Sequence, residues 1–185
     1  MRFLSTATLT ISTLLFSACA TETKRLQAIS SEVLTSGSGV VFLSASGDQP
    51  CKVAATNVLV EPRGASQNVF AAPGGVTANN GFMKSAFEDR LGFFTAVVLK
   101  PGDYQLSLVS LGPYHYKSPA VAEFSIGPGE AKYVGEVAVR GCGSLFVSLK
   151  DRWSSVRPLA TATLPQFPVD RVVVEIPPLK PIESR

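Results

Sequence analysis

The chain has 185 residues, of which 17% are charged and 45% are hydrophobic, and its formal net charge at pH 7 is +3. So small a charge excludes a protein whose function depends on strong general attraction to nucleic acid or to anionic lipid. The 15 glycines and 13 prolines indicate many turns, which suits a β-sandwich better than a helical bundle. The length corresponds to one domain of ordinary size.

The first 18 residues have the three parts of a secretory signal. Arg2 supplies a positive charge near the start, residues 3–16 carry none, and two small residues, Ser17 and Ala18, follow. A membrane-spanning helix needs about 20 apolar residues, whereas this run is shorter and is interrupted by hydroxyl side chains. We therefore predict a cleaved export signal over residues 1–18 rather than a spanning helix.

The four residues Phe16-Ser17-Ala18-Cys19 resemble the lipobox of bacterial lipoproteins. They match it at Ser17, Ala18 and Cys19 and depart from it at Phe16, where the family usually has Leu. The resemblance implies cleavage before Cys19, whose thiol then receives a diacylglycerol and whose new amine is acylated. Such a protein would be bound to a membrane by its lipid, because two or more acyl chains give stable anchoring.

Ala20 bears on two further expectations. Among bacterial lipoproteins an Asp directly after the lipidated cysteine is associated with retention in the inner membrane. Because Ala20 stands there instead, the resemblance implies the outer membrane, with the domain facing the periplasm. The alternative is that Ala18-Cys19-Ala20 is an A-x-A site for the ordinary signal peptidase. The product would then be a soluble periplasmic or secreted protein.

Two cysteines, Cys51 and Cys142, follow Cys19. An even pair of cysteines in an exported chain predicts a disulfide. The bridge would close a loop of about 90 residues, which the chain-entropy description values at roughly 4–5 kcal/mol. Two separate buried thiols are the alternative. Neither cysteine has a Cys or His at ligand spacing, so we predict no metal site.

The chain after the signal is predicted to form one all-β domain, a single antiparallel β-sandwich of prealbumin-like or immunoglobulin-like type. Residues 19–38 are mostly polar and are expected to be a flexible tether beside the lipid. Residues 39–156 carry short strands with alternating apolar side chains and make up the sandwich. At most one short helix is expected, near 151–157. Residues 157–185 are rich in proline and are expected to be an extension that packs on the domain.

The clearest strand pattern surrounds Pro101-Gly102, where alternating apolar residues end at Leu99 and resume at Tyr104. Pro followed by Gly fits the central positions of a type II turn. Residues 94–108, FTAVVLKPGDYQLSL, resemble a recurrent hairpin of prealbumin-like sandwiches, including carboxypeptidase regulatory domains. Residues 122–139, AEFSIGPGEAKYVGEVAV, look like the next hairpin of small envelope lipoproteins that share this architecture. The resemblance implies a fold and an exported binding or structural role, but no activity.

The last strand of this second hairpin is predicted to alternate without interruption. One face would carry the apolar side chains of Tyr133, Val137 and Val139. The other face would carry the charged side chains of Lys132, Glu136 and Arg140. A shift of one residue would turn the apolar set to solvent, so we expect the register to be well defined.

The aromatic stretch Tyr114, His115 and Tyr116 is the one candidate ligand-contact loop. His115 is the single histidine, and it would make such a contact sensitive to pH. The alternative is a hairpin loop whose tyrosines cover the end of a sheet. No catalytic residues are predicted, because a Ser-His-Asp triad would have to use His115 and no Gly-x-Ser-x-Gly sequence marks a partner serine.

No cofactor is predicted either, since the sequence contains no phosphate-binding, dinucleotide-binding or calcium-binding loop. We therefore expect a non-enzymatic envelope lipoprotein that acts as a binding or structural module. Its expected partners are the membrane, through the lipid on Cys19, and another envelope protein or a cell-wall component, but not nucleic acid. One alternative is a lipoprotein subunit of a secretion or envelope assembly, and another is a hydrolase or carbohydrate-active enzyme.

Overall fold

The computed structural model describes residues 26–52, 55–65, 72–111, 116–142 and 146–180. Within them the chain forms nine strands, two α-helices and one 3-10 helix. The strands are β1 (Gly39–Gly47), β2 (Ala55–Pro62), β3 (Gly74–Thr77), β4 (Leu91–Leu99), β5 (Gly102–Leu111), β6 (Tyr116–Ile126), β7 (Ala131–Val139), β8 (Val147–Lys150) and β9 (Val173–Val174). The helices are α1 (Glu32–Thr35) and α2 (Trp153–Thr163), and the 3-10 helix is Val169–Arg171.

The strands form two sheets that pack face to face. The first sheet has the strand order β4-β1-β7-β8, and β9 also pairs with β7. The second sheet has the order β3-β2-β5-β6. The prediction of an all-β sandwich is therefore confirmed. Two strand pairs depart from the antiparallel pattern, because β1 and β9 each run parallel to β7.

The space between the sheets is filled by one apolar cluster. Successive side chains of a strand point to opposite faces, so each strand contributes every second residue to this core. Val41 and Leu43 of β1 and Val97 of β4 enter it from the first sheet. Val60 of β2 and Leu106 of β5 enter it from the second. Burial of a Val or Leu side chain contributes about 1.5–3 kcal/mol, so this cluster is a main source of stability.

The two segments that were predicted to be hairpins connect the two sheets instead. β4 lies in the first sheet and β5 in the second, so Lys100 and Pro101 carry the chain from one sheet to the other. The same is true of residues 127–130 between β6 and β7, where Gly129 has a φ of 70°. A strand buries one face in either arrangement, so the apolar alternation in the sequence does not distinguish a hairpin from a crossing between sheets.

Strand β7 contains a bulge that changes the predicted assignment of its faces. Between Tyr133 and Glu136 the register against β1 shifts by one residue. Gly135 lies in this shift with a φ of 110°, and a Cβ there would come within 2.9 Å of the Leu149 side chain. Tyr133 and Glu136 consequently share the outer face of the first sheet, whereas Val137 stays in the core. The prediction that Tyr133 and Val137 share a face is wrong.

The outer face of the first sheet is covered by a second apolar cluster, to which the segment before β1 contributes. Residues 19–38 were expected to be a flexible tether, but Leu26, Ile29 and Leu34 are buried in this cluster. The main-chain N–H of Ser31 also donates to the carbonyl of Gln166 at 3.2 Å. From residue 26 onward the chain is therefore part of the packed domain.

Helix α2 lies on the same outer face and extends beyond the expected range of 151–157. It continues through Pro158 to Thr163 because Val156 and Ala160, four residues apart, are both buried against the sheet. The ring of Trp153 at its start lies 5.7 Å from the ring of Phe42, measured between centroids. Packing on the sheet stabilises a helix that the proline alone would disfavour.

The C-terminal segment spans from the first sheet to the second. The N–H of Glu175 donates to the carbonyl of Tyr133 in β7 at 3.0 Å. Five positions later, the N–H of Lys180 donates to the carbonyl of Val121 in β6 at 2.7 Å, and its ammonium pairs with Glu123. The segment thus pairs with backbone groups of β6, at the edge of the second sheet, and of the part of β7 that β8 does not pair. These groups would otherwise be open to pairing with another chain.

Candidate functional site

Cys51 and Cys142 are bonded at one end of the sandwich, which we call the disulfide end. Strands β1 and β7 finish at this end, and β2 begins there. The two Cα atoms are 5.6 Å apart, and Cys51 is 2% exposed, whereas Cys142 is exposed to solvent. The predicted disulfide is confirmed. It joins the loop after β1 to the loop after β7 across a sequence separation of 91 residues.

A buried asparagine holds the loops around the disulfide in place. The amide oxygen of Asn79 accepts from the N–H of Thr56 at 2.8 Å, and its amide nitrogen donates to the carbonyl of Gly141 at 2.8 Å. The N–H of Cys51 donates to the carbonyl of Asn79 at 2.7 Å. A carboxylate oxygen of Asp48 accepts from the N–H of Gly141 at 2.8 Å. This end of the molecule is therefore fixed by hydrogen bonds between loops as well as by the covalent bridge.

Three large apolar side chains stand in solvent at the disulfide end. Phe82 is 77% exposed, Met83 is 43% exposed and Phe146 is 80% exposed. Isolated exposed apolar residues are common, but two phenyl rings this exposed at one end of a small domain mark a candidate contact surface.

Most of the other predicted site residues lie outside the part of the chain that the structure describes. Cys19, Tyr114 and His115 lie outside the described residues. Tyr116 is the first residue of β6, and only its main chain is described. Strand β5 ends at Leu111, which pairs with Ala55 at the start of β2, and β6 begins at Tyr116. The ligand-contact loop and the lipidation of Cys19 stay predictions.

A buried carboxylate on the outer face of the first sheet was not anticipated. Glu136 of β7 is 2% exposed, and it accepts from the hydroxyl of Ser46 at 2.8 Å. Its other oxygen accepts from the Nε and an Nη of Arg90 at 3.0 and 2.7 Å. The Arg90 guanidinium also lies 3.8 Å above the ring of Phe87. Both carboxylate oxygens are bonded, so the group serves to join β1, β7 and the loop before β4.

The sequence contained one signal for this carboxylate. Gly135 directly precedes Glu136, and a glycine inside a strand often marks a bulge. A bulge there would have separated Tyr133 from Val137 and placed Tyr133 on the same face as Glu136. Even so, the partner Arg90 is 46 residues away in the chain, and no spacing rule connects the two.

A second buried polar contact lies beside the first on the same face. The hydroxyl groups of Tyr133 and Ser44 are 2.9 Å apart, and both residues are fully buried. Burial raises the pKa of Tyr133 well above its usual value, because it removes the phenolate from water, and the carboxylates of Glu136 and Asp151 add to the effect. Tyr133 is therefore a neutral hydrogen-bonding group in the folded protein.

This shift predicts a loss of stability in alkaline solution. Above about pH 10 the unfolded state loses the tyrosine proton while the folded state keeps it, so the free energy of unfolding falls by up to about 1.4 kcal/mol per pH unit. Tyr133→Phe should remove this contribution and flatten the decline, measured by urea unfolding between about pH 9 and about pH 11. Tyr104→Phe is the comparison variant: burial also raises the pKa of Tyr104, but without an adjacent carboxylate, so this change should flatten the decline less than Tyr133→Phe does. Equal slopes in wild type and Tyr133→Phe would contradict the prediction.

A further buried carboxylate, Glu61, lies on β2 in the second sheet. It is 1% exposed, and it accepts from the hydroxyl of Ser107 at 2.6 Å. Among the described residues, no group of three or more His, Cys, Asp or Glu side chains is arranged to hold a metal ion. In the same part of the chain, no helix is long and apolar enough to cross a membrane.

Comparison with known proteins adds no family to these observations. The sequence matches no protein-family model, and it has no significant match among curated proteins. The class that the fold defines is an all-β sandwich with a disulfide that joins the loops at one end.

Proposed function

We propose that this protein is a non-enzymatic lipoprotein of the bacterial cell envelope, anchored by a lipid on Cys19, whose sandwich domain is a binding or structural module. The observation that carries the proposal is the Cys51–Cys142 disulfide. Disulfides of this kind persist in exported proteins, because the cytosol keeps thiols reduced. The disulfide therefore supports the export signal and lipobox of residues 1–19.

The arrangement of the buried polar groups supports a non-catalytic role. The carboxylate of Glu136 is bonded on both oxygens, and the hydroxyl of Tyr133 is bonded to Ser44. A general acid or base must reach a substrate proton, within about 3 Å or through one water. Glu136 and Tyr133 are enclosed by the protein instead. We therefore propose that these two residues stabilise the fold.

Replacement of Cys19 tests the anchor. The mature wild-type protein should appear in the membrane fraction with the mass of a diacylglycerol and an amide-linked acyl chain on an N-terminal Cys19. Cys19→Ala should abolish that mass entirely, because no thiol remains to receive the diacylglycerol. Intact-mass spectrometry of the membrane and soluble fractions measures the modification itself. An uncleaved precursor that stays in the membrane is therefore not mistaken for lipidated protein.

Phe16→Leu is the matched control, because it brings the lipobox closer to the usual lipoprotein sequence and should preserve the modification. The proposal fails if wild-type protein is found in the soluble fraction with an unmodified N-terminus at Thr21. That product would show cleavage at Ala18-Cys19-Ala20 by the ordinary signal peptidase.

A further inference from the structure

The two cysteines of the disulfide differ in their access to solvent. Cys51 is 2% exposed, whereas Cys142 is exposed. The main chain of Cys51 is bonded on both sides, because its N–H donates to the carbonyl of Asn79 at 2.7 Å and its carbonyl accepts from the N–H of Gly81 at 2.8 Å. Gly81 lies so close that a Cβ on it would come within 3.2 Å of the carbonyl oxygen of Cys51. An external molecule therefore reaches the bridge at Cys142.

The polar groups around the two sulfur atoms differ as well. The side-chain amide of Gln49 donates an N–H toward the Sγ of Cys142 at 3.8 Å. The Sγ of Cys51 lies instead 3.7 Å from the carbonyl oxygen of Gln49 and 3.9 Å from that of Gly141. An N–H group stabilises a thiolate, whereas a carbonyl oxygen can only accept the proton of a thiol. In the reduced protein the thiolate is therefore favoured at Cys142, and Cys51 is held as a thiol.

The charged side chains near the bridge do not reverse this order. A carboxylate oxygen of Asp48 is bonded to the main-chain N–H that precedes Cys142, and the exposed Arg140 stands two residues before it. One acidic and one basic side chain thus act on Cys142 in opposite directions. Lys52 follows Cys51, but its side chain is exposed, so water and salt screen its charge from the buried sulfur. Access and local hydrogen bonding therefore distinguish the two cysteines.

We propose that the bridge is formed and opened by thiol–disulfide exchange at Cys142, whereas Cys51 reacts only with Cys142. In formation, the Cys142 thiolate attacks an external disulfide, one external sulfur leaves as a thiolate, and a mixed disulfide remains on Cys142. Cys51 then loses its proton to water and attacks the Sγ of Cys142, which expels the second external sulfur. The two protein thiols are thereby oxidised, and the external disulfide is reduced to two thiols. No lipid on Cys19 is needed for this reaction, which goes beyond the proposed function.

Opening of the bridge follows the same path in reverse. An external thiolate forms a bond with the Sγ of Cys142, the bond between the two protein sulfurs breaks, and Cys51 leaves with the electron pair and takes a proton from water. A second external thiolate then attacks the mixed disulfide and releases the Cys142 thiolate. An attack on Cys51 instead would require the external thiolate to displace the loops that bury it. Exchange at Cys142 therefore leaves those loops in place.

Two single variants of the full-length protein test which sulfur reacts. Cys51→Ala keeps Cys142, and Cys142→Ser keeps Cys51, so the two variants are matched in the loss of the bridge. Each is reduced, freed of reductant and incubated with an excess of glutathione disulfide. Peptide mapping by mass spectrometry locates the adduct and separates it from any adduct on Cys19. We expect Cys142 to be glutathionylated about tenfold faster than Cys51, or more.

Unfolding provides the control for these rates. In denaturing urea the two cysteines lose their different surroundings, so their rates should agree within about twofold. Circular dichroism without urea shows that both variants are folded. Equal rates in the folded variants, a faster reaction at Cys51, or a difference that persists in urea would each overturn the inference. None of these results depends on whether Cys19 carries a lipid, so the proposed function is tested separately.

The wild-type protein gives a measurement that does not depend on the folding of a variant. The oxidised protein is treated briefly with reduced glutathione, and free thiols are then blocked with N-ethylmaleimide. Molecules that hold one glutathione should carry it on Cys142 and the maleimide on Cys51, about tenfold more often than the opposite arrangement. Equal amounts of the two arrangements, or an excess of glutathione on Cys51, would contradict exchange at Cys142.

Discussion

Arg90→Met is expected to lower the free energy of unfolding by about 3 kcal/mol, because it leaves the carboxylate of Glu136 buried without its cation. Glu136 is 2% exposed, and the Arg90 side chain is 15% exposed. Methionine keeps most of the chain length over the ring of Phe87, so the loss would come chiefly from the charge. Urea unfolding monitored by circular dichroism measures the change.

The double variant Arg90→Met, Glu136→Gln separates the buried charge from the loss of packing. A neutral amide can still accept from the hydroxyl of Ser46, so the double variant should be more stable than Arg90→Met alone. Arg157→Met is the surface control, since Arg157 pairs with Asp170 at side-chain exposures of 55% and 83%. That change should cost about 1 kcal/mol or less. If Arg90→Met costs no more than Arg157→Met, the buried ion pair does not carry the stability assigned to it.

Removal of the disulfide is expected to lower the free energy of unfolding by about 2–4 kcal/mol, less than the chain-entropy value of roughly 4–5 kcal/mol, because bridges usually contribute less than that description gives. The variant is Cys51→Ala combined with Cys142→Ser, which suits the burial of the first position and the exposure of the second. The expected loss comes mainly from the greater freedom of the unfolded chain, in which the bridge would close a loop of 91 residues. Thermal and urea unfolding in the absence of reductant measure it.

Reduced wild-type protein provides the control for this variant. Under a reductant the wild type should lose about as much stability as the double variant, and the double variant should not respond to the reductant at all. Because Asn79 still bonds Thr56 and Gly141 without the bridge, we expect the folded structure of the variant to be retained. A double variant as stable as the oxidised wild type would show that the hydrogen bonds alone hold the disulfide end together.

The features that could be read from the sequence are those that depend on neighbouring residues. Apolar side chains at every second position around Val97 and Leu106 predicted strands of a sandwich, since a strand with one buried face repeats every two residues. The apolar run that includes Val41 and the β-branched run that includes Val60 predicted two more. The export signal and the cysteine count predicted the disulfide, because oxidising compartments favour pairing. Such patterns do not specify which strand is the neighbour of which.

The sequence by itself determined the fold class, and it predicted the pairing of Cys51 with Cys142 and an anchor on Cys19. Only the tertiary structure decided that β4 and β5 lie in different sheets, that the bulge at Gly135 brings Tyr133 to the face of Glu136, and that Arg90 is the partner of Glu136. It also decided that Phe82 and Phe146 share the disulfide end. The physical reason is that periodicity records whether a side chain is buried, whereas its partners are set by contacts between segments far apart in the chain.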